Sequence, residues 1–435
     1  MTRLLLAAQL AVVPAGPVPV PAIAQVQPTL NARIFVPAPT QPDLSATPLG
    51  APVTPALLPD ASMRELGQAQ ADAGRLAADI AQRLGAPRDE ASLKSWIERT
   101  HADLRRERPD LFERKMLKAS ASVAAFNRAF PELFYGLLAQ SPDAARLSAT
   151  PRLRLAGDLH AENVEIASYR GAAVPQVDDY DDAAEAPAGL EAARAFVSAA
   201  ILGRTPAQAR RLFAAAREAY VKALGMSFKD WAADVSREEA VDGAKANKRH
   251  WRRDAGPALT EAEARRARTI ADLNETWEAH HREGAGLSSI GVRRTLFVRE
   301  GHDEAWDLKE LPEESALFAF GGSVDSRPVA QRVSRAYNDL RAVPVEARTT
   351  VADGRTWIVR ERPGKETSLD LERVDSSARV LGGLAAQLQR GQVADPRALS
   401  AVADALSPET ASGLVAQIKE LRAALIRLIE DGTWR

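Results

Sequence analysis

Residues 157–164 read GDLHAENV, and residues 177–183 read VDDYDDA. Ahead of the first, RLRLAGD (152–158) alternates and then turns, which predicts a strand feeding a loop. AVPQVDDY (173–180) predicts a second short strand. The first loop then carries Asp158, His160 and Asn163, and the second carries Asp178, Asp179, Asp181 and Asp182. Four carboxylates within five residues repel one another, and a hard cation such as Mg²⁺, which takes oxygen ligands, relieves that repulsion. Asn163 adds a neutral oxygen. An Asp, an Asn five residues later and a metal-binding Asp after the next strand form the layout of a phosphotransferase site. There the first Asp accepts the proton of the attacking hydroxyl, while the Asn and the later Asp hold the metal that bridges the nucleotide phosphates. Acidic runs are usually solvated loops, and either motif alone is commonplace; the pair, each at a strand end, is more specific.

Outward from these loops the chain is mostly helical. SMRELGQAQADAGRLAADIAQRL, from Ser62, spaces Leu66, Leu76, Ile80 and Leu84 on one helix face, and Gly85-Ala86-Pro87 stops it. Residues 89–106 and 110–140 read as further helices, broken near Pro109 and Pro131. Alanine content and spacing predict helices over 188–203, 206–225, 229–238 and 260–283. The composition shifts at Gly284. TLFVREG and AWDLKEL predict a hairpin with Gly301 in its turn, and TTVAD-GRTWIVRER another, with Asp353-Gly354 at its tip. Helices are predicted for 327–341, 374–391 and 396–430.

At GDLHAENV the sequence resembles the catalytic loop of aminoglycoside phosphotransferases and choline kinases. More closely, it resembles the bacterial "domain of unknown function 2252" family, which is grouped with protein-kinase-like folds. That family's GDxHxxN loop and NDFDE-like stretch stand here as GDLHAEN and DDYDDA. Its following helix, with an Asp, an Arg and a Ser, is matched by Glu191, Arg194 and Ser198 in LEAARAFVSAA. KMLKASASVAAFNRAF upstream, and GAGLSSIGVRRTLFV, WDLKELPEESAL, AQRVSRAYNDL and RTWIVRERPGKETSL downstream, continue the resemblance over about residues 110–391.

The resemblance implies an α+β, helix-rich, protein-kinase-like fold of two lobes. The catalytic loop precedes the glycine-rich β-lobe, so a circular permutation is implied. It implies Asp158 as catalytic base and Asn163 as metal ligand, with Asp179 the main metal carboxylate and Asp181 a second. Lys309 would contact nucleotide phosphates, and Gly286, Ser288, Ser289 and Gly291 would cover them through backbone N–H groups. The family helix that could supply a Glu partner for Lys309 has Arg335 at the matching place, and Glu310 lies on the opposite strand face. His160 reads as an orienting residue in the loop. Mg²⁺ and ATP, or another nucleotide, are the implied cofactors.

Other features read more plainly. Without the resemblance, Lys309 reads as a solvent-facing residue of an edge strand, since a buried lysine needs a partner. The basic run KANKRHWRRD (245–254) reads as a solvated helix face rather than a nucleic-acid dock. His280-His281 lacks a third ligand in view and reads as surface. Nucleophile-elbow, HExxH and P-loop sequences are absent.

The chain has 435 residues, with 57 Lys plus Arg against 58 Asp plus Glu. That balance argues against a general nucleic-acid coat or a polybasic membrane binder. With no cysteine, disulfides, thiolate zinc sites, iron–sulfur clusters and cysteine nucleophiles are excluded. One positive charge, the apolar LLLAAQLAVV and Ala22-Ile23-Ala24 before Gln25 form an export-signal pattern over 1–24. No segment reads as transmembrane. A Pro-rich linker (25–60), a helical catalytic-loop lobe (61–283), a β-rich nucleotide-lobe-like segment (284–373) and C-terminal helices (374–435) follow. The export pattern predicts a periplasmic or secreted protein, with a cytoplasmic one as the alternative.

The expected activity is Mg²⁺-dependent phosphoryl transfer from a nucleotide to a small or protein hydroxyl or amino acceptor. Two readings of other classes stay open. One is a non-catalytic, pseudokinase-like binding protein; the other is a metal-dependent phosphoester hydrolase or nucleotidyltransferase.

Overall fold

The computed structural model of the protein describes residues 85–244, 246–248, 251, 255–282, 287, 290–320, 327–362 and 365–434. The export pattern of 1–24, the linker of 25–60 and the helix expected from Ser62 lie outside the described residues, as do Gly286, Ser288 and Ser289. Helices and small antiparallel sheets make an α+β architecture.

Short helices come first: α1 (Glu90–Thr100), α2 (Ala102–Glu107), α3 (Pro109–Ser120), α4 (Val123–Ala129), α5 (Pro131–Ala139) and α6 (Ala144–Ser148). Each break has a local cause. Pro109 and Pro131 are the first residues of α3 and α5, where the missing N–H costs nothing. Ser122 caps α4 by accepting from the Ala125 N–H.

The two loops read from sequence follow. β1 (Arg152–Leu155) pairs with β4 (Ala184–Pro187), and β2 (Val164–Tyr169) pairs with β3 (Ala172–Val177), both antiparallel. Strand β2 was not expected; VEIASY is half-buried along most of its length and lacks the clean alternation that marks a strand.

Helix α7 (Ala188–Ile201) is buried at every residue, within a bundle with α8 (Pro206–Leu224) and the later α13 (Val374–Arg390). Gly382 of α13 makes that packing possible, because a Cβ there would lie 1.8 Å from the Ala216 carbonyl oxygen of α8. Between them come α9 (Phe228–Val235), α10 (Glu239–Asp242), β5 (Ala246–Lys248) and α11 (Glu261–Ala271).

The helix expected over 260–283 ends at Ala271. Asp272 takes φ 51° in the left-handed region, which an Asp tolerates, and Glu278–His281 forms a strand, β6. Its alanine-rich start had carried the helical reading too far.

β6 edges a five-stranded antiparallel sheet of order β6-β7-β8-β10-β9, with β7 (Arg294–Val298), β8 (Ala305–Glu310), β9 (Ala347–Ala352) and β10 (Arg355–Arg362). The hairpin tip takes positive φ at Asp353 and Gly354, as a two-residue mirror-image turn requires. One sheet face buries Phe297, Leu308, Trp357 and Val359 against α11. The other carries Arg294, Asp307, Lys309, Arg360 and Arg362, all buried, as period-two alternation and the register dictate. α12 (Val329–Leu340) lies in the loop between β8 and β9, β11 (Lys365–Thr367) pairs with β5, and α14 (Pro408–Glu430) ends the fold, starting later than the expected 396. Among the described residues no helix is long and apolar enough to cross a membrane.

Candidate functional site

The loop after β1 is aimed by one face of α7. Glu191, Arg194 and Ser198 are three and four residues apart, so their side chains lie along one stripe. Each holds a successive part of the loop. Glu191 Oε1 accepts from the Ala156 N–H at 2.6 Å. Arg194 donates to Asp158 Oδ1 through Nε at 3.0 Å and Nη2 at 2.8 Å. Ser198 Oγ accepts from the Ala161 N–H at 3.0 Å. From the other side, the Tyr135 hydroxyl donates to the Gly157 carbonyl at 2.6 Å. Gly157 has φ +89°, and a Cβ there would meet the Asp182 carbonyl oxygen at 2.1 Å, so the loops cross at a point only glycine permits.

His160 completes the setting of Asp158. Its Nδ1 accepts from the Glu162 N–H, which leaves Nε2 to face Asp158 Oδ2 at 3.3 Å. Burial opposes the charge of Asp158, but His160 and Arg194 outweigh it and hold the carboxyl well below the usual range. Asp158 is therefore a fixed anion with one oxygen spent on Arg194.

The second loop is tied to the first by Asn163. Its Nδ2 donates to the carbonyls of Asp158 at 3.0 Å and Asp179 at 3.2 Å, and its Oδ1 accepts from the Asp179 N–H at 3.1 Å. The expected metal ligand thus has both amide atoms in backbone bonds.

The four aspartates then diverge. Asp178 pairs with Arg362 at 3.0 Å. Asp179 accepts from Lys309 Nζ at 2.8 Å, and Asp181 also pairs with Lys309. Asp182 Oδ1 accepts from the Ala316 N–H at 2.7 Å; burial, with Asp158 nearby, pushes its carboxyl up to about 7. Lys309 is 1% exposed on a central strand, which overturns the edge-strand reading. Two aspartates stand where a Glu partner was sought, while Arg335 is exposed on α12. Burial disfavours both charges of the pair, yet Lys309 and Arg360 keep Asp179 ionised, well below the usual carboxylate range.

Asp179 Oδ1 and Asp181 Oδ1 are buried and have no hydrogen-bond partner. Among the described residues no group of three or more His, Asp or Glu side chains is arranged to hold a metal ion. Mg²⁺, however, is commonly held by one or two carboxylates plus substrate phosphates, and two carboxylates that share Lys309 and each keep an unpartnered acceptor oxygen suit that mode. The residues present fit a cation at Asp179 and Asp181, without Asn163.

Gly291, at φ +94°, packs on α2: a Cβ there would lie 2.4 Å from Leu104 Cδ1. Glu310 faces away from Lys309 and pairs with Arg355, as expected. His280, on the edge strand β6, donates its Nδ1–H to the Gly256 carbonyl oxygen at 3.0 Å, and among the described residues it joins no group of three metal-ligating side chains. Trp251, read as part of a solvated face, is buried and stacks on Arg282 and Arg362.

Sequence reasoning missed the arginines around this centre. Asp307, fully buried, is met by Arg282 at 2.7 Å, Arg294 at 3.3 Å and Arg360 at 3.5 Å. Arg360 also donates to the Asp178 carbonyl at 3.0 Å and to the Tyr337 hydroxyl at 2.7 Å. The signal was present in RTLFV, AWDLKE and WIVRER, where charged residues fall on alternate positions of one face. Beside Asp178 opens a cleft of about 370 Å³, walled by Ile166, Tyr337, Arg341, Val343, Pro344 and Arg360 among others.

Neither the curated proteins nor the solved structures gave a match to the chain. Residues 106–285 carry the Asp158 loop, the Asp178–Asp182 stretch and the α7 stripe that aims them; this segment matches the model of the family described as "Uncharacterized protein conserved in bacteria (DUF2252)".

Proposed function

We propose that the protein is a Mg²⁺-dependent phosphotransferase of circularly permuted, two-lobed, protein-kinase-like design. It moves a phosphoryl group from ATP or another nucleotide to a hydroxyl or amino acceptor. The observation that carries this reading is the meeting of Lys309 with Asp179 and Asp181, whose second oxygens are buried without partners. A cation there would neutralise negative charge on the nucleotide phosphates. Asp179 and Asp181 would hold it. Lys309, released from the carboxylates, would turn its ammonium to the phosphates. Asp158 keeps Oδ2 toward His160 and the acceptor side; firmly ionised, it orients the acceptor group and receives its proton as the new bond forms. The cleft beside Asp178, where Ile166, Tyr337, Val343 and Pro344 line a wall shared with Arg341, Arg360 and Glu165, would seat the nucleotide.

A second reading, nucleotide binding without transfer, is favoured by one observation: the Asn163 amide is occupied by backbone partners.

Thermal unfolding with ATP and Mg²⁺, beside Asp179→Ala, tests the site. A ligand that binds only the folded protein raises stability by about 2.7 kcal/mol at 100 times its dissociation constant. A Mg²⁺-dependent rise that the substitution abolishes supports a nucleotide site, and γ-phosphate turnover then separates transfer from binding. No rise with any nucleotide in the folded protein rejects both.

A further inference from the structure

Lys115, on α3, is 7% exposed. Its ammonium lies 5.8 Å from the centroid of the Phe130 ring. Among the described residues no carboxylate comes within ion-pair distance of it and no hydrogen bond reaches it. A lysine this deep without a partner is costly, which is why such groups concentrate at binding sites.

Its neighbours connect it to Asp158. Phe130 precedes α5, and Phe134 lies four residues on, about one helical turn or ~5.4 Å along the axis. The Arg194 guanidinium stands over Phe134 at 4.7 Å. Two buried cations thus stack on rings one turn apart, and the second grips Asp158. Asn127, at the end of α4, binds Arg194 as well, at 2.7 Å.

Burial disfavours the charges of both Lys115 and Glu132, which lies on the turn between the two rings, while each favours the charge of the other from beyond ion-pair distance. His101 packs on Phe130 at 5.5 Å.

We propose that Lys115 is the anion anchor of an acceptor subsite: it seats the carboxylate or phosphate of a small hydroxylated molecule whose hydroxyl addresses Asp158. The word acceptor rests on the phosphotransfer reading; the anion site does not. Lys115 is a binding residue, and the ligand class is a hydroxylated monoanion or dianion.

The test is trace acetylation of the full chain with acetic anhydride at neutral pH, without nucleotide or Mg²⁺, with rates read for each lysine by mass spectrometry. Glycerate and glycerol 3-phosphate are the two probes, and glycerol is the uncharged control. The expected result is at least a several-fold slowing at Lys115 with one of the anions, none with glycerol, and no change at the exposed Lys94. Which anion protects identifies carboxylate or phosphate. Lys115→Gln, checked for native unfolding, should bind neither probe in a stability titration. Failure of both anions to slow Lys115, or a Lys115 that the reagent never reaches, overturns the proposal. Because wild-type protein carries the labelling arm, a misfolded variant does not decide it. Protection in a protein that shows no nucleotide response rejects only the phosphotransfer reading.

Discussion

Arg194 sends two nitrogens to a single oxygen of Asp158, Oδ1, from a helix on which it is itself fully buried. A buried ion pair that loses one partner strands the other charge. Arg194→Met is therefore expected to cost about 3–5 kcal/mol, read as a lower urea midpoint at unchanged slope. In a cycle with Asp158→Asn the two changes should couple by about 1–3 kcal/mol. Additive losses would mean that the pair does not form in solution.

The same logic applies at Lys309, with a pH signature. Lys309→Met leaves Asp179 with Arg360 at 3.7 Å and takes from Asp181 its Lys309 partner, and should cost about 3–5 kcal/mol at pH 7. Asp179 has its folded pKa depressed, so its contribution is present above the unfolded value of about 3.9 and is lost as pH falls. The gap between wild type and variant should thus narrow on acidification from pH 7 to below 4. A constant gap over that range would argue against the ion pair.

Glu191 gives the opposite sign. Fully buried, with Oε2 unpartnered, it is pushed up to about 7. A carboxyl raised on folding contributes stability below its unfolded pKa of about 4.3, and that contribution is lost as pH rises toward the folded value. Raising the pH past 7 should remove on the order of 3 kcal/mol through this residue. Glu191→Gln keeps the acceptor for the Ala156 N–H but does not ionise. Urea midpoints between pH 5 and 8 should therefore be flatter for the variant. Parallel curves would place the pH response elsewhere, with Asp182, which shares the same direction, as the next residue to replace.

The two loops could be read from the chain because their residues are near in sequence and chemically unusual, and the family resemblance marked the α7 residues beside them. GDLHAENV, DDYDD and Glu191, Arg194 and Ser198 lie within 42 residues, from 157 to 198. Helix breaks near Pro109 and Pro131 were equally plain. The arginine setting was not. Arg294 meets Asp307 within the expected hairpin, but Arg360 joins them only because β10 pairs with β8, and no local pattern encodes a register between strands far apart. Lys309 illustrates the same divide. Its strand was legible, but whether that strand was central or at an edge depended on β10, from the later hairpin, pairing along the side that β7 leaves free. The role of Asn163 was also hidden. Spacing identifies an amide near an aspartate, whereas the partners of its two ends depend on how closely the loops approach.

That amide has a consequence for how such a site can change over time. With one end on Asp158 and both ends on Asp179, Asn163 makes the two loops a single inherited unit. An insertion in either loop would pull three bonds out of line at once, so lineages could remodel the surrounding helices and sheet far more freely than the distance between these two turns.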